Sequence, residues 1–242
     1  MERGQLIGWV GDSGNAEGTS PHLHFELWAP DGVAVDSFVS LQEAEAAQGL
    51  TCAGEKATRV DTNGDHRITG TPFSDVIVGT EEADDLYGGA GDDVICGGGG
   101  DDILGGGPGD DRLVGGEGND RLAGGSGADT LLGGPGDDDL SGGAGDDLLA
   151  GHAGADRLRG GTGDDHLLGG PDGDRLVASP GTDILNGGRG RDTVSFVPAE
   201  AGVTADLAAG VASGAVTATL IGLEIAHGST HPDSLTGDDR RN

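Results

Sequence analysis

Aromatic residues make up only 3% of this chain of 242 residues, and it has a single Met, so an ordinary close-packed globular core is excluded. Positive charge is equally scarce. Lys and Arg number 13 against 43 Asp and Glu, giving a formal net charge of -30 at pH 7. Such a surface repels phosphate backbones and anionic lipid and attracts cations, which argues against nucleic acid as a partner. No stretch approaches the roughly 18 consecutive apolar residues that span a bilayer, so no membrane span is predicted. The start, MERGQLIGWVGDSG, does not show the basic, apolar, small-residue order of a secretory signal, and the export route is not visible. Two cysteines, Cys52 and Cys96, are too few for a disulfide scaffold or a zinc ribbon. One bridge between them and two free thiols both remain open.

What the chain has is glycine, 52 residues of it, set in a strict frame. Counting by nine from Gly70 gives fourteen unbroken units to Ser195, among them GGAGDDVIC, GGPGDDRLV and GGSGADTLL. The sixth position is always aspartate: Asp75, Asp84, Asp93, Asp102, Asp111, Asp120, Asp129, Asp138, Asp147, Asp156, Asp165, Asp174, Asp183 and Asp192. The eighth is always Ile, Leu or Val, whereas the seventh and ninth vary widely. One inward side chain flanked by two outward ones is the period-two signature of a three-residue strand.

Positions one, two and four are mostly Gly, which suits a turn whose backbone visits positive φ and comes close to something bound. Hard cations such as Ca²⁺ take six to eight oxygens from carboxylates and backbone carbonyls, and a glycine-rich turn ending in aspartate presents both. One buried aliphatic side chain per nine residues falls far short of the entropy of ordering them. Ion coordination between turns is the natural missing stabilisation, so folding and calcium binding are expected to be one event.

The block resembles the RTX, or hemolysin-type calcium-binding, repeat family, over a little more than half the chain. The resemblance implies an all-β fold, a right-handed parallel β-roll (β-solenoid) in which each coil uses two repeats. Asp75, Asp93, Asp111, Asp129, Asp147, Asp165 and Asp183 would line one edge and the other seven aspartates the opposite edge. Multiple Ca²⁺ ions would sit between turns two repeats apart, which allows at most about twelve sites. Weak or empty sites are expected where units depart from the pattern: at Glu81 and Glu82, at the exchanged Asp172-Gly173, and at Ala178-Ser179. The resemblance also implies a secreted, extracellular bacterial setting.

Residues 61–69, DTNGDHRIT, keep the frame as a degenerate unit with Ile68 inward and His66 at the aspartate position. An EF-hand reading of Asp61-x-Asn63-x-Asp65 fails, because His66 holds the obligatory glycine position and Pro72 that of the final glutamate. The segment from Cys52 through this unit reads as a linker and cap (42–60) before the roll (61–195). The Val-, Thr- and Ala-rich segment from 196 to 242 reads as capping strands followed by a resumed unit, GSTHPDSLT, with Asp233 and Leu235 at positions six and eight. A lost second block and a natural end are both open.

The N-terminal string GQLIGWVGDSGNAEGTSPHLHFELW carries a His-x-His pair, which on a strand projects to one face and can serve one metal. It resembles the C-terminal end of lysostaphin-type zinc endopeptidases, which cut bridges in bacterial cell walls. The resemblance implies a catalytic role for His22 and zinc ligation by His24, with residues 1–41 the last part of such a domain. The upstream His and Asp that complete the Zn²⁺ site in that family are not found in the residues before His22, so this piece is expected to be inactive in this chain. Two functions follow: an extracellular, non-enzymatic calcium-binding roll, or a calcium-stabilised zinc peptidase acting on the cell wall.

Overall fold

The computed structural model describes residues 27–28, 34–35, 51–61, 64–197 and 199–237. From Arg59 to Ser195, successive short strands alternate between two sheets that face each other. One sheet has twelve strands and the other nine. Each repeat unit therefore supplies one strand to one sheet, and the next unit supplies the other. Register shows the eighteen-residue coil directly: Arg112 pairs with Val94 and Thr130, and Arg121 pairs with Ile103 and Asp139, all in parallel. This is a parallel β-roll, and the described residues contain no helix.

The core is one column of side chains. Ile77, Leu86, Ile95, Leu104, Leu113, Leu122, Leu131, Leu140, Leu149, Leu158, Leu167, Leu176, Leu185 and Val194, all at position eight, are fully buried between the sheets. Of the strand positions seven to nine, eight faces inward because neighbouring side chains on a strand point to opposite faces. Ala150, Val177 and Ser195, at position nine, are buried as well.

The strands are longer than a three-residue reading predicts. Nine consecutive strands, from Val94–Gly99 to His166–Pro171, run six residues, through positions one and two to position three, with glycine at both except in Leu148–Ala153, where His152 holds position two. Pairing continues across the glycines, as in Gly116 with Gly98 and Gly125 with Gly107. That pairing uses a conformation glycine alone adopts freely: Gly107, at position two, has φ 119°. A Cβ there would overlap the carbonyl oxygen of Gly89 in the preceding coil. Where the position two that follows is Thr or Ser, after Arg67–Thr69, Val76–Val78 and Arg175–Val177, the strand is three residues long, and Asp85–Tyr87, followed by Gly89, is equally short.

The first coil is closed by a small cap. Thr51–Cys52 and Glu55–Lys56 pair antiparallel around Ala53 and Gly54, both at positive φ, the geometry of a two-residue hairpin turn. Arg59–Val60 joins the larger sheet beside Val76–Val78, and Arg67–Thr69 joins the smaller sheet beside Asp85–Tyr87, with Ile68 buried. Cys52 and Cys96 are joined by a disulfide, Cα–Cα 5.8 Å, which ties the hairpin to the third unit.

At the other end, Val203–Asp206, Val211–Gly214 and Thr217–Ile221 form an antiparallel meander. Thr217–Ile221 docks in parallel on Thr182–Arg189. Phe196, Val203, Ala205, Ala218 and Leu220 continue the core column. Ile225–His227 extends the smaller sheet, and Ser234–Thr236 lies beside Val203–Asp206. Leu235, placed inward by its repeat position, is 42% exposed on this outermost strand. Of residues 1–50, only Leu27–Trp28 and Ala34–Val35 are described, as an antiparallel pair. His22 and His24 lie outside the described residues.

Candidate metal-binding edges

All fourteen position-six aspartates are buried, none more than 7% exposed, even though each ends a turn at the rim of the roll. The coil period sorts them into two ladders. In each, the backbone N–H of one aspartate donates to Oδ1 of the aspartate eighteen residues later. Asp75 gives to Asp93 at 2.7 Å, Asp111 to Asp129 at 2.8 Å and Asp129 to Asp147 at 2.9 Å on one edge. Asp84 gives to Asp102, Asp120 to Asp138 and Asp156 to Asp174 on the other, at 2.8 to 2.9 Å. The structure thus brings the sequence-predicted residues together as two edge sets of seven.

The second carboxylate oxygen is treated differently. In eleven of the fourteen, Oδ2 is buried with no hydrogen-bond partner: Asp93, Asp102, Asp111, Asp120, Asp129, Asp138, Asp147, Asp156, Asp165, Asp174 and Asp192. The position-one glycine makes room for it. A Cβ on Gly88 would overlap the Asp93 carboxylate, and one on Gly124 would overlap that of Asp129. A buried, unpaired anionic oxygen is costly.

Charge makes the cost larger, since aspartates stack upon aspartates. Burial pushes the carboxyls of Asp102, Asp138, Asp165 and Asp174 up from the ordinary 3.8 to about 7, and those of Asp111 and Asp147 up to about 6. The N–H bond from the preceding coil opposes this rise, while neighbouring aspartates of the same ladder, such as Asp156 and Asp120 around Asp138, add to it.

A hard cation fits this chemistry. Among the described residues, no three His, Cys, Asp or Glu side chains converge on one point, so side chains alone do not complete a site. The remaining oxygens are backbone carbonyls of the glycine turns, whose backbones approach so closely that a Cβ on Gly109 would overlap the carbonyl of Gly91. Carboxylate plus carbonyl is the donor set of Ca²⁺.

Position five forms a set that the sequence reading did not single out. Here the backbone N–H donates to the side chain eighteen residues earlier: Asp110 to Asp92, Asn119 to Asp101, Ala128 to Asp110 and Asp137 to Asn119, at 2.8 to 3.0 Å. These ladders are exposed and run opposite to the buried ones. The recurring Gly-Asp-Asp was their signal, though Asn, Ala and Thr also occur at that position.

The departures from the repeat have distinct consequences. In the twelfth unit Asp172 takes φ 79°, the left-handed conformation glycine holds at position four elsewhere, and Asp174 keeps a bare Oδ2. In the second and thirteenth units Oδ2 is not bare, because Thr80 and Ser179 bond to it. His66, at the aspartate position of the degenerate unit, places Nδ1 3.1 Å from Asp84 Oδ1.

The profile of the RTX calcium-binding nonapeptide repeat matches the chain in four copies, at residues 69–104, 105–140, 132–167 and 159–194. No curated protein matches it. The matched span coincides with the stacked coils and with both aspartate ladders. The chain belongs to the RTX calcium-binding nonapeptide repeat family, and its β-roll is a calcium-binding one.

Proposed function

We propose that this protein is an extracellular, non-catalytic module that folds when Ca²⁺ is captured between stacked GGxGxD turns. The position-six aspartates with a bare Oδ2 are the carboxylate ligands, and backbone carbonyls of the glycine turns complete each shell. The observation that carries this reading is the row of eleven buried, unpartnered Oδ2 atoms. Without a cation, the roll confines like charges out of water. With one between adjacent turns, the same charges hold successive coils together. Calcium near 10⁻³ M outside cells suits modules with dissociation constants of roughly 10⁻⁴ to 10⁻³ M, whereas low cytosolic calcium leaves such a chain unfolded and exportable.

Circular dichroism with and without calcium tests the reading. A largely coil spectrum is expected in chelator, with a cooperative gain of β signal on adding millimolar calcium and little response to magnesium, whose strict octahedral geometry suits these turns poorly. A full β spectrum in excess EDTA, with no bound metal by mass analysis, sinks the proposal.

A further inference from the structure

Four of the units with aspartate at position six carry a hydroxyl residue at position two: Thr71, Thr80, Ser179 and, in the resumed unit, Ser229. In the first three, both the N–H and the hydroxyl of that residue close on Oδ2 of the unit's own aspartate. Thr71 reaches Asp75 at 2.7 Å by both groups. Thr80 reaches Asp84 at 2.7 and 2.9 Å. Ser179 reaches Asp183 at 3.1 Å by both. The Ser229 hydroxyl bonds to Asp233 at 2.9 Å. Every one of the eleven bare Oδ2 atoms belongs to a unit with Gly or His at position two, and none to a unit with Thr or Ser.

We infer that position two selects between two kinds of turn: one completed by calcium, where it is glycine, and one closed by the protein itself, where it is Thr or Ser. This rests on the reading of the bare Oδ2 atoms as calcium ligands. The hydroxyl supplies a donor where the ion would otherwise lie.

Two closed turns in succession make the first coil independent of the metal. Its other carboxylate oxygens are met as well. Asp75 Oδ1 accepts from the Thr58 hydroxyl at 3.2 Å and faces Arg59 Nε at 3.3 Å, while Asp84 Oδ1 meets His66. The disulfide from Cys52 to Cys96 ties this coil to the next. In repeat arrays each unit is stable only on a neighbour. The closed coil is thus a permanent surface on which calcium-dependent coils stack, and ion sites involving a bare Oδ2 begin at Asp93 and Asp102. The two kinds of turn also differ in backbone: Thr71, Thr80 and Ser179 are not at positive φ, whereas glycine at position two is, as Gly107 is at 119°.

Hydrogen exchange read by mass spectrometry, with metal content measured on the same samples, tests this on the full chain. In EDTA the parent protein should keep amides of Val76–Val78 and Asp85–Tyr87 protected while interior repeats exchange freely. The double variant Thr71→Gly/Thr80→Gly should lose that protection by about tenfold or more in EDTA and regain it in calcium. It should also bind more calcium than the parent, by about one ion per freed carboxylate. A first coil as unprotected in EDTA as the interior overturns the selection, and so does a variant with the parent's metal content. An interior that stays unprotected in calcium overturns the calcium reading itself, and the selection with it.

Discussion

Asparagine in place of Asp138 separates the two roles of a buried carboxylate. The amide keeps an oxygen to accept the Asp120 N–H, a bond of 2.8 Å, and leaves the Asp138 N–H free to reach Asp156 Oδ1 at 2.9 Å. It replaces the charged, bare Oδ2 by a neutral NH2 group of similar size. Burial raises the Asp138 carboxyl from 3.8 to about 7, so above neutral pH the metal-free fold carries an ionised group at a cost of up to about 4 kcal/mol. Asp138→Asn relieves this cost. The variant should therefore be more stable than the parent without calcium, the reverse of the usual result of changing a buried residue. Folding by an excluded osmolyte such as trimethylamine N-oxide, in EDTA at about pH 8, gives the measurement. Below pH 3.8 both side chains are neutral and the advantage should vanish. In calcium titrations, the dependence of folding on the logarithm of free calcium should drop by about one ion. A variant no more stable than the parent in EDTA at high pH refutes the reasoning, as does an advantage that persists in acid.

Acid should partly replace calcium for the whole roll. The raised carboxyls mean that the folded form holds more protons than the unfolded one, so their contribution is present below 3.8 and is lost as pH rises through about 6 to 7. Circular dichroism of the metal-free chain should gain β signal between about pH 8 and pH 4, and calcium binding should release protons measurable with an indicator dye. Glycine positions should divide sharply: Gly124→Ala sets a Cβ into the Asp129 carboxylate and should abolish ordered binding there, whereas Gly105→Ala meets only the edge of the Tyr87 ring and should change the unfolding midpoint in calcium little. Reducing the Cys52–Cys96 bridge, which closes a loop of 44 residues, should cost about 4 kcal/mol, read as a lower urea midpoint for the first coils in calcium.

The repeat frame made much of this architecture legible. A side chain that never departs from Ile, Leu or Val every ninth residue has one place to go, and the invariant aspartate one residue before each strand fixes where the turns stack. What the frame does not contain is distance along the other axis. The six-residue strands mostly set glycine beside glycine one coil away, as Gly116 beside Gly98. The position-five ladders were hidden by variety, since their donor is a backbone N–H and any residue supplies one, Ala128 and Ala155 included. Cys52 and Cys96 are 44 residues apart, and only the docking of the hairpin on the third unit brings them within bonding reach. Thr71, Thr80 and Ser179 are plain in the sequence as breaks in the Gly-Gly pattern, but their bonds to the aspartates appear only in three dimensions.

The direction of the buried ladder also dictates what its ends must be. Every rung runs from a backbone N–H to a carboxylate one coil later, so a finite ladder leaves a carboxylate oxygen unclaimed at its start and an N–H unclaimed at its finish. The residues found there have the matching chemistry. At the start, Asp75 Oδ1 meets Thr58 and Arg59, and Asp84 Oδ1 meets His66, donors or cations in both cases. At the finish, the Asp192 N–H donates to Glu224 Oε2 at 2.9 Å, a carboxylate from outside the repeat standing where the next aspartate would be. Glu224 lies in the segment whose strands continue the two sheets, so the cap extends the backbone pairing and ends the ladder together. An array whose interior is built on repeated negative charge thereby meets a cation, Arg59, where one ladder starts and an anion, Glu224, where the other finishes. Exchanging those two charges would leave like charges facing each other at one terminus and a buried donor without a partner at the other.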